Sequence, residues 1–134
     1  MMMVKKYFKL LLLPNVRTGM GLTFAFALII CLGTLTPLPQ AVDMPGIDKW
    51  YHFLAFAALT YPLTVASRRC WLLVIVFGLS FGASIEIIQP YVNRFGDIAD
   101  FTADAFGVLI GFLFGVIGYF LKLKYNSLLY WPKQ

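Results

Sequence analysis

The chain has 134 residues, of which 60% are hydrophobic and 13% are charged, with a formal net charge of +5 and a mean hydropathy of +0.80. Ordinary soluble domains carry about 25% charged residues, so this composition excludes a water-soluble globular protein and predicts an integral membrane protein. The basic residues flank apolar runs, where they report membrane topology and contact with anionic lipid and do not indicate nucleic-acid binding.

Four apolar runs of about 18 to 21 residues follow one another, and each could cross a hydrocarbon core of about 30 Å as a helix. The connections between them are too short for a soluble catalytic module. We therefore predict an all-α fold, in which a single domain over 1–134 is a polytopic bundle of four transmembrane helices. The predicted spans are approximately 19–36, 50–67, 70–89 and 101–121.

The segment before the first span has a charged leader followed by an apolar stretch, as in a signal peptide. No small-residue cleavage site follows the long run before Pro37, so we predict an uncleaved first span. The segment from Val4 to Leu13 either lies in the membrane interface or is a frayed terminus.

The basic residues also predict the orientation, because basic loops are retained on the cytoplasmic side. Nine of the 11 lie before the first span, between the second and third, or after the fourth, and only Lys49 and Arg94 lie on the other side. We predict that both termini are cytoplasmic, in a bacterial cytoplasmic (inner) membrane. The nine are Lys5, Lys6, Lys9, Arg17, Arg68, Arg69, Lys122, Lys124 and Lys133.

Polar side chains gather at the opposite, extracytoplasmic end of the spans. Five of the six acidic residues lie there together with His52, the only histidine. Because charges at membrane depth are costly, this cluster is the predicted functional site. Its acidic members are Asp48, Glu86, Asp97, Asp100 and Asp104.

Helical spacing gives the third and fourth spans matching stripes that are polar outside and glycine within. Such faces let membrane helices approach closely, so we expect these two spans to pack glycine to glycine with Glu86 beside Asp104. A hydrogen bond that His52 donates to Asp48, one turn away, could orient the ring toward either carboxylate. The stripes are Asp97, Asp100, Asp104, Gly107 and Gly111 on the fourth span, and Gly78, Gly82, Glu86 and Gln89 on the third.

Several of these residues also have a purely structural interpretation. Asp48 and Asp97 could cap the N-terminal ends of their helices, and a lone histidine is often a satisfied polar contact. Carboxylates this close must share protons or be neutralised by cations, for which Lys49, His52 and Arg94 are the resident candidates. No haem, nucleotide or metal motif is present, so we predict no cofactor and no metal. An acidic cluster with one histidine could nevertheless hold a divalent ion.

The same residues resemble the signature of the VanZ-like family, which is DK-x-x-H-F, then E-x-x-Q, then R-x-x-D-x-x-D followed by N-x-x-G. The resemblance covers approximately residues 20–121, and the chain departs from it at Asp104, where the family more often has asparagine. It implies a small envelope protein of about four helices, in a family named for low-level resistance to teicoplanin, a lipid-tailed glycopeptide. The matching residues are Asp48, Lys49, His52, Phe53, Glu86, Gln89, Arg94, Asp97, Asp100 and Gly107.

Three functions follow as hypotheses. The first is a non-catalytic envelope factor whose outward pocket binds a lipid head group or lipid-linked glycan and influences teicoplanin susceptibility. The second is an intramembrane hydrolase or transferase, with His52 or Glu86 as general base and Asp100 or Asp104 orienting it or holding a cation. The third is a proton or cation pathway. The predicted binding residues are Asp48, Lys49, His52, Glu86, Gln89, Arg94, Asp97, Asp100 and Asp104.

Overall fold

The computed structural model describes residues 14–36, 46–92 and 96–129. The predicted interfacial segment before Pro14 lies outside these ranges, as does Arg94. Over the described residues the regular elements are all helical, which confirms the all-α prediction. They are α1 (Val16–Leu35), α2 (Ile47–Ala66), α3 (Trp71–Ile88) and α4 (Ile98–Leu129), with 3-10 turns at Arg68–Cys70 and Gln89–Val92 on either side of α3.

The starts of α1 and α2 differ from the predicted boundaries for local reasons. α1 begins at Val16 because Asn15 caps it, its side-chain oxygen accepting the Thr18 N–H at 3.0 Å. α2 begins at Ile47 after Gly46, whose φ of 91° lies in the left-handed region that favours glycine. The earlier start of α2 brings its first polar residues inside the helix.

The fourth helix is longer than predicted and continues to Leu129 instead of ending at Leu121. Lysines end the apolar run at this point, but lysine is a good helix former and does not end the helix. The Lys122 ammonium donates to the carbonyl oxygens of Pro14 at 2.7 Å and Ala66 at 3.3 Å. These bonds join α4 to the start of α1 and the end of α2.

The helices alternate in direction. Lys122 joins the start of α1 to the end of α2 at one end of the bundle. At the other end, the Gln89 amide after α3 donates to the Thr34 carbonyl near the end of α1, at 3.4 Å. Both ends of the described chain therefore lie at the same end of the bundle. This geometry is compatible with two cytoplasmic termini, and the membrane orientation itself stays a prediction.

α2 is the most enclosed helix and lies between α1 and α4. The Thr23 hydroxyl of α1 donates to the Leu59 carbonyl at 3.1 Å, and the Thr60 hydroxyl contacts the Val108 carbonyl of α4 at 3.4 Å. Nine residues of α2 are buried, against four each in α1 and α3. A helix that other helices cover in this way has less need of an apolar surface toward lipid.

The expected glycine-to-glycine contact between α3 and α4 is wrong. The glycines of α4 face α2, and a β-carbon at Gly107 or Gly111 would collide with the Phe53 or Ala57 carbonyl. The glycines of α3 instead accommodate α4 side chains, Val108 at Gly78 and Asp104 at Gly82. Periodicity identifies a small-residue face on each helix, but it does not identify the helix that this face meets.

Three described helices are long and apolar enough to cross a membrane. They correspond to α1, α3 with its flanking turns, and α4, and their outward faces carry large exposed apolar side chains such as Phe24, Leu72 and Phe106. α2 is not among them, because its first turns carry Asp48, Lys49 and His52. A multi-pass membrane protein is thus supported, and a crossing by α2 stays a prediction. The three helical segments are Val16–Leu35, Arg68–Val92 and Ile98–Ser127.

Candidate functional site

The predicted polar cluster assembles at the end of the bundle where α2 and α4 begin and where α1 and α3 end. Its centre is a buried pair: His52 Nδ1 lies 2.9 Å from Asp104 Oδ1, and the two side chains are 8% and 1% exposed. Gly82 makes this burial possible, because a β-carbon there would lie only 2.9 Å from Asp104 Oδ2. The ring of His52 therefore pairs with Asp104, one of the two carboxylates toward which we expected it to point. The expected hydrogen bond between His52 and Asp48 is not found among the described contacts.

Glu86 joins this pair from α3. One ligand-type atom from each of His52, Glu86 and Asp104, here called the trio, lies within 4.8 Å of the other two. Glu86 Oε2 accepts the Asp97 backbone N–H at 2.8 Å, which fixes its carboxylate. The other oxygens, Glu86 Oε1 and Asp104 Oδ2, are buried and have no hydrogen-bond partner in the described structure. The expected proximity of Glu86 to Asp104 is therefore present.

A second group, here called the Lys49 cluster, lies beside the trio. The Lys49 ammonium is 3.2 Å from Asp100 Oδ1 and 3.4 Å from both Asp48 Oδ2 and Asp97 Oδ2. Lys49, Asp48 and Asp97 are partly exposed, whereas the Asp100 side chain is only 10% exposed. The cluster ties the first turn of α2 to the first turn of α4. Three carboxylates already surround the ammonium, so it has less capacity to attract an anionic ligand.

The capping interpretation fits Asp97 and not Asp48. Asp97 Oδ1 accepts the Ala99 N–H at 2.9 Å at the start of α4. This hydrogen bond, reinforced by Lys49, holds the pKa of the exposed Asp97 carboxyl below its usual value. At the start of α2 the capping position belongs to Gly46, and Asp48 lies inside the first turn beside Lys49.

Gln89 connects the site to α1. Its side chain is buried, its amide nitrogen donates to the Thr34 carbonyl at 3.4 Å, and its amide oxygen has no partner among the described residues. Gln89 therefore faces the end of α1. Its role as a binding residue stays a prediction. Arg94 lies outside the described residues, so no position is assigned to its guanidinium.

A groove of about 390 Å³ separates α1 from α2 and is here called the α1/α2 groove. Its walls are mostly apolar, with His52, Asp48 and Thr34 toward the polar end of the bundle. Among the described residues, no heavy atom lies within 4 Å of a β-carbon built at Gly33. The lining residues are Ile29, Ile30, Gly33, Thr34, Asp48, Tyr51, His52, Ala55 and Phe56.

A family model described as VanZ/LLP1 matches residues 2–121, which include the trio, the Lys49 cluster and all of α1 to α3. The chain belongs to the VanZ/LLP1 family. No curated protein and no solved structure matched it. The match confirms the resemblance inferred from the signature residues and extends it toward the N-terminus.

Two kinds of chemistry are open to the trio of this VanZ/LLP1 protein. A histidine oriented by a buried carboxylate is the usual arrangement of a general base. A histidine and two carboxylates from three helices could also hold a divalent ion. The three residues come from α2, α3 and α4 and are far apart in the chain, with 34 positions from His52 to Glu86 and 18 from Glu86 to Asp104. No short linear motif contains this set, and the sequence indicated it through the shared depth of its members in three spans.

Sequence reasoning missed the contribution of α1. The first span contains no acidic residue, so its charges gave no indication of a role in the site. The available signal was the small pair Gly33 and Thr34 near the polar end of the run. In the VanZ/LLP1 protein these residues line the groove, and the Thr34 carbonyl accepts the Gln89 amide.

Proposed function

We propose that this VanZ/LLP1 membrane protein binds a membrane lipid or lipid-linked glycan in the α1/α2 groove. The acyl chain lies along Ile29, Tyr51 and Ala55, and the head group lies against His52 and Asp48. The observation that carries the proposal is a largely apolar groove of about 390 Å³ that ends at these two polar side chains. Small-molecule sites commonly combine such a volume with apolar walls and a few polar groups.

The charge of the site favours a particular head group. Five carboxylates gather at this end of the bundle, whereas Lys49 and His52 are the described residues there that can carry a positive charge. Carboxylates accept hydrogen bonds and do not donate them when ionised. The preferred head group therefore presents donors, such as a primary amine or sugar hydroxyls, and a bare phosphate is disfavoured.

Native mass spectrometry of the detergent-purified protein tests this proposal. The probes are phosphatidylethanolamine, phosphatidylglycerol and an undecaprenyl-linked sugar, each titrated separately. Gly33→Leu should reduce lipid occupancy by about tenfold, because it adds a bulky side chain at a position that lines the groove. Gly21→Leu is the matched control, since a β-carbon at Gly21 on the same helix also meets no heavy atom within 4 Å. Equal occupancy in the two variants would contradict the proposal.

A second function has one observation in its favour. The buried His52 and Asp104 pair, with 2.9 Å between Nδ1 and Oδ1, resembles a general base and its orienting carboxylate. We therefore propose as an alternative that the protein hydrolyses or transfers an envelope lipid or glycan. Incubation with a radiolabelled envelope-lipid extract should yield a new product that His52→Ala does not form. An unchanged lipid profile with the wild-type protein would remove this alternative.

Lipid binding also suggests a cellular consequence. A protein that sequesters or presents an envelope lipid changes the surface that the lipid-tailed glycopeptide teicoplanin meets. Expression of the wild-type chain should then raise the inhibitory concentration of teicoplanin in a susceptible host, and Gly33→Leu at equal expression should not. No difference between the two strains would separate lipid binding from drug susceptibility.

A further inference from the structure

We infer that the trio of His52, Glu86 and Asp104 binds one divalent transition-metal ion. The sequence led us to expect no metal, because the three residues form no linear motif. The fold nevertheless brings one ligand-type atom of each within 4.8 Å of the other two. This inference concerns the trio alone and does not depend on lipid binding in the groove.

The first argument is geometric. Zinc binds imidazole nitrogen and carboxylate oxygen at about 2.0 to 2.2 Å, so two of its ligands are at most about 4.2 Å apart. His52 Nδ1 and Asp104 Oδ1, at 2.9 Å, already lie within this limit. The ion would take the place of the hydrogen bond between them, with His52 as the neutral tautomer that carries its proton on Nε2. The separations in the trio are at most 4.8 Å, so bringing all three atoms within this limit requires a movement of no more than about 0.6 Å.

The second argument is the presence of two buried oxygens without a partner. The Asp104 side chain is 1% exposed, and its Oδ2 accepts no hydrogen bond in the described structure. Glu86 Oε1 is also buried without a hydrogen-bond partner in the described structure, whereas Oε2 of the same carboxylate accepts the Asp97 N–H. Buried polar atoms in folded proteins nearly always have a partner, so these two oxygens indicate a group that binds here.

The third argument is charge. Two carboxylates beside a neutral imidazole carry two negative charges, which a divalent cation balances. Lys49 is engaged by Asp48, Asp97 and Asp100 and by neither carboxylate of the trio. A proton on His52 would neutralise only one charge and would leave both bare oxygens unsatisfied. A divalent ion meets all three requirements together.

The ligand types select the class of metal. Mg²⁺ and Ca²⁺ prefer sites built from oxygen alone, whereas imidazole with carboxylates suits Zn²⁺, Mn²⁺ or Fe²⁺. Three protein ligands leave at least one coordination position open, as in catalytic zinc sites. Because His52 also lines the α1/α2 groove, a water molecule or a head-group oxygen from that side can fill the open position.

The test is direct measurement of ion binding. The full chain is purified in detergent with a tag that contains no histidine, treated with a chelator, and titrated calorimetrically with Zn²⁺ or Mn²⁺, with Mg²⁺ as the competitor. We expect one ion per chain and retention of that ion against excess Mg²⁺. Asp104→Asn and Glu86→Gln should each weaken the binding by about tenfold or more, because each removes a charged ligand while keeping its shape.

Asp97→Asn is the control, since it removes a negative charge at the same end while asparagine retains the capping function. Its ion affinity should stay within about threefold of the wild type, because Asp97 contributes its backbone and not its carboxylate to Glu86. Absence of saturable uptake by the wild-type protein would overturn the inference. Equal affinity of the wild type, Asp104→Asn and Glu86→Gln would overturn it as well.

Two additional measurements keep the result interpretable. Thermal unfolding in metal-free buffer shows whether each variant folds. If Asp104→Asn does not fold, Glu86→Gln still tests the ion site, because Glu86 is partly exposed. Gly33→Leu separates the two proposals, because it should lose lipid and still bind the ion. Ion binding without lipid binding would refute only the groove proposal, and lipid binding by the metal-free wild type without ion uptake would refute only the metal site.

Discussion

Substitution of alanine at two glycines should have opposite effects on stability. Gly111 packs against α2, where an added β-carbon would collide with the Ala57 carbonyl and would lie 2.7 Å from Ala57 Cα. Gly21 lies on α1, where an added β-carbon would meet no heavy atom within 4 Å. Gly111→Ala should therefore destabilise the bundle, and Gly21→Ala should stabilise it slightly through the better helix propensity of alanine.

The magnitude follows from the contact distances. Carbon atoms prefer separations of about 3.5 to 4.0 Å, so α2 and α4 must separate by about 1 Å to accommodate the new methyl group at Gly111. A gap of this size forfeits a quarter to a half of each dispersion contact along the face, and overpacking costs about 1 to 3 kcal/mol. Against it stands a propensity gain of about 1 kcal/mol at most. Because the clash is with backbone atoms of Ala57, we expect the upper part of this cost, about 2 to 3 kcal/mol, and a net loss for Gly111→Ala of about 1 to 2 kcal/mol.

Reversible unfolding of the purified protein in mixed detergent micelles measures both effects. The wild type and the two variants are titrated with a denaturing detergent, and the free energy of unfolding is obtained from the midpoint and slope. A Gly111→Ala protein as stable as Gly21→Ala would refute the close contact between α2 and α4.

The remaining predictions concern the polar end of the bundle and the membrane orientation. Asp104→Ala leaves the buried His52 nitrogen unpaired and should cost about 1 to 3 kcal/mol of stability, while Asp104→Asn should cost less because its oxygen can still accept; chemical unfolding of both variants measures the difference. Because the pKa of Asp97 is lowered in the folded protein, its ionised carboxylate contributes to folding stability above the ordinary aspartate range, and this contribution is lost as the pH falls through the lowered value. The unfolding temperature of Asp97→Asn should therefore decline less at acid pH than that of the wild type. An identical decline in the two proteins would exclude this role. In a background where Cys31 and Cys70 are serine, an impermeant thiol reagent added to intact cells should label Tyr91→Cys and not Lys124→Cys, and the reverse pattern would invert the predicted orientation.

The class of the protein and the location of its polar site could be predicted from the sequence. Four long apolar runs predict helices because length and hydropathy are properties of each segment alone. The cluster of acids with His52 could be located because the placement of a charge along a span gives its depth. The family signature could also be identified from the sequence, since it consists of residue types at fixed spacing.

The partners of the polar and small residues were decided by the tertiary structure. Asp48 is one turn from His52 in sequence, yet the ring pairs with Asp104, whose helix approaches α2 closely through Gly107 and Gly111. The groove beside α1 likewise depends on how two helices diverge, and no single helix encodes that angle. A periodic pattern specifies which face of a helix is buried, whereas the neighbour that covers it is set by the simultaneous packing of all four helices.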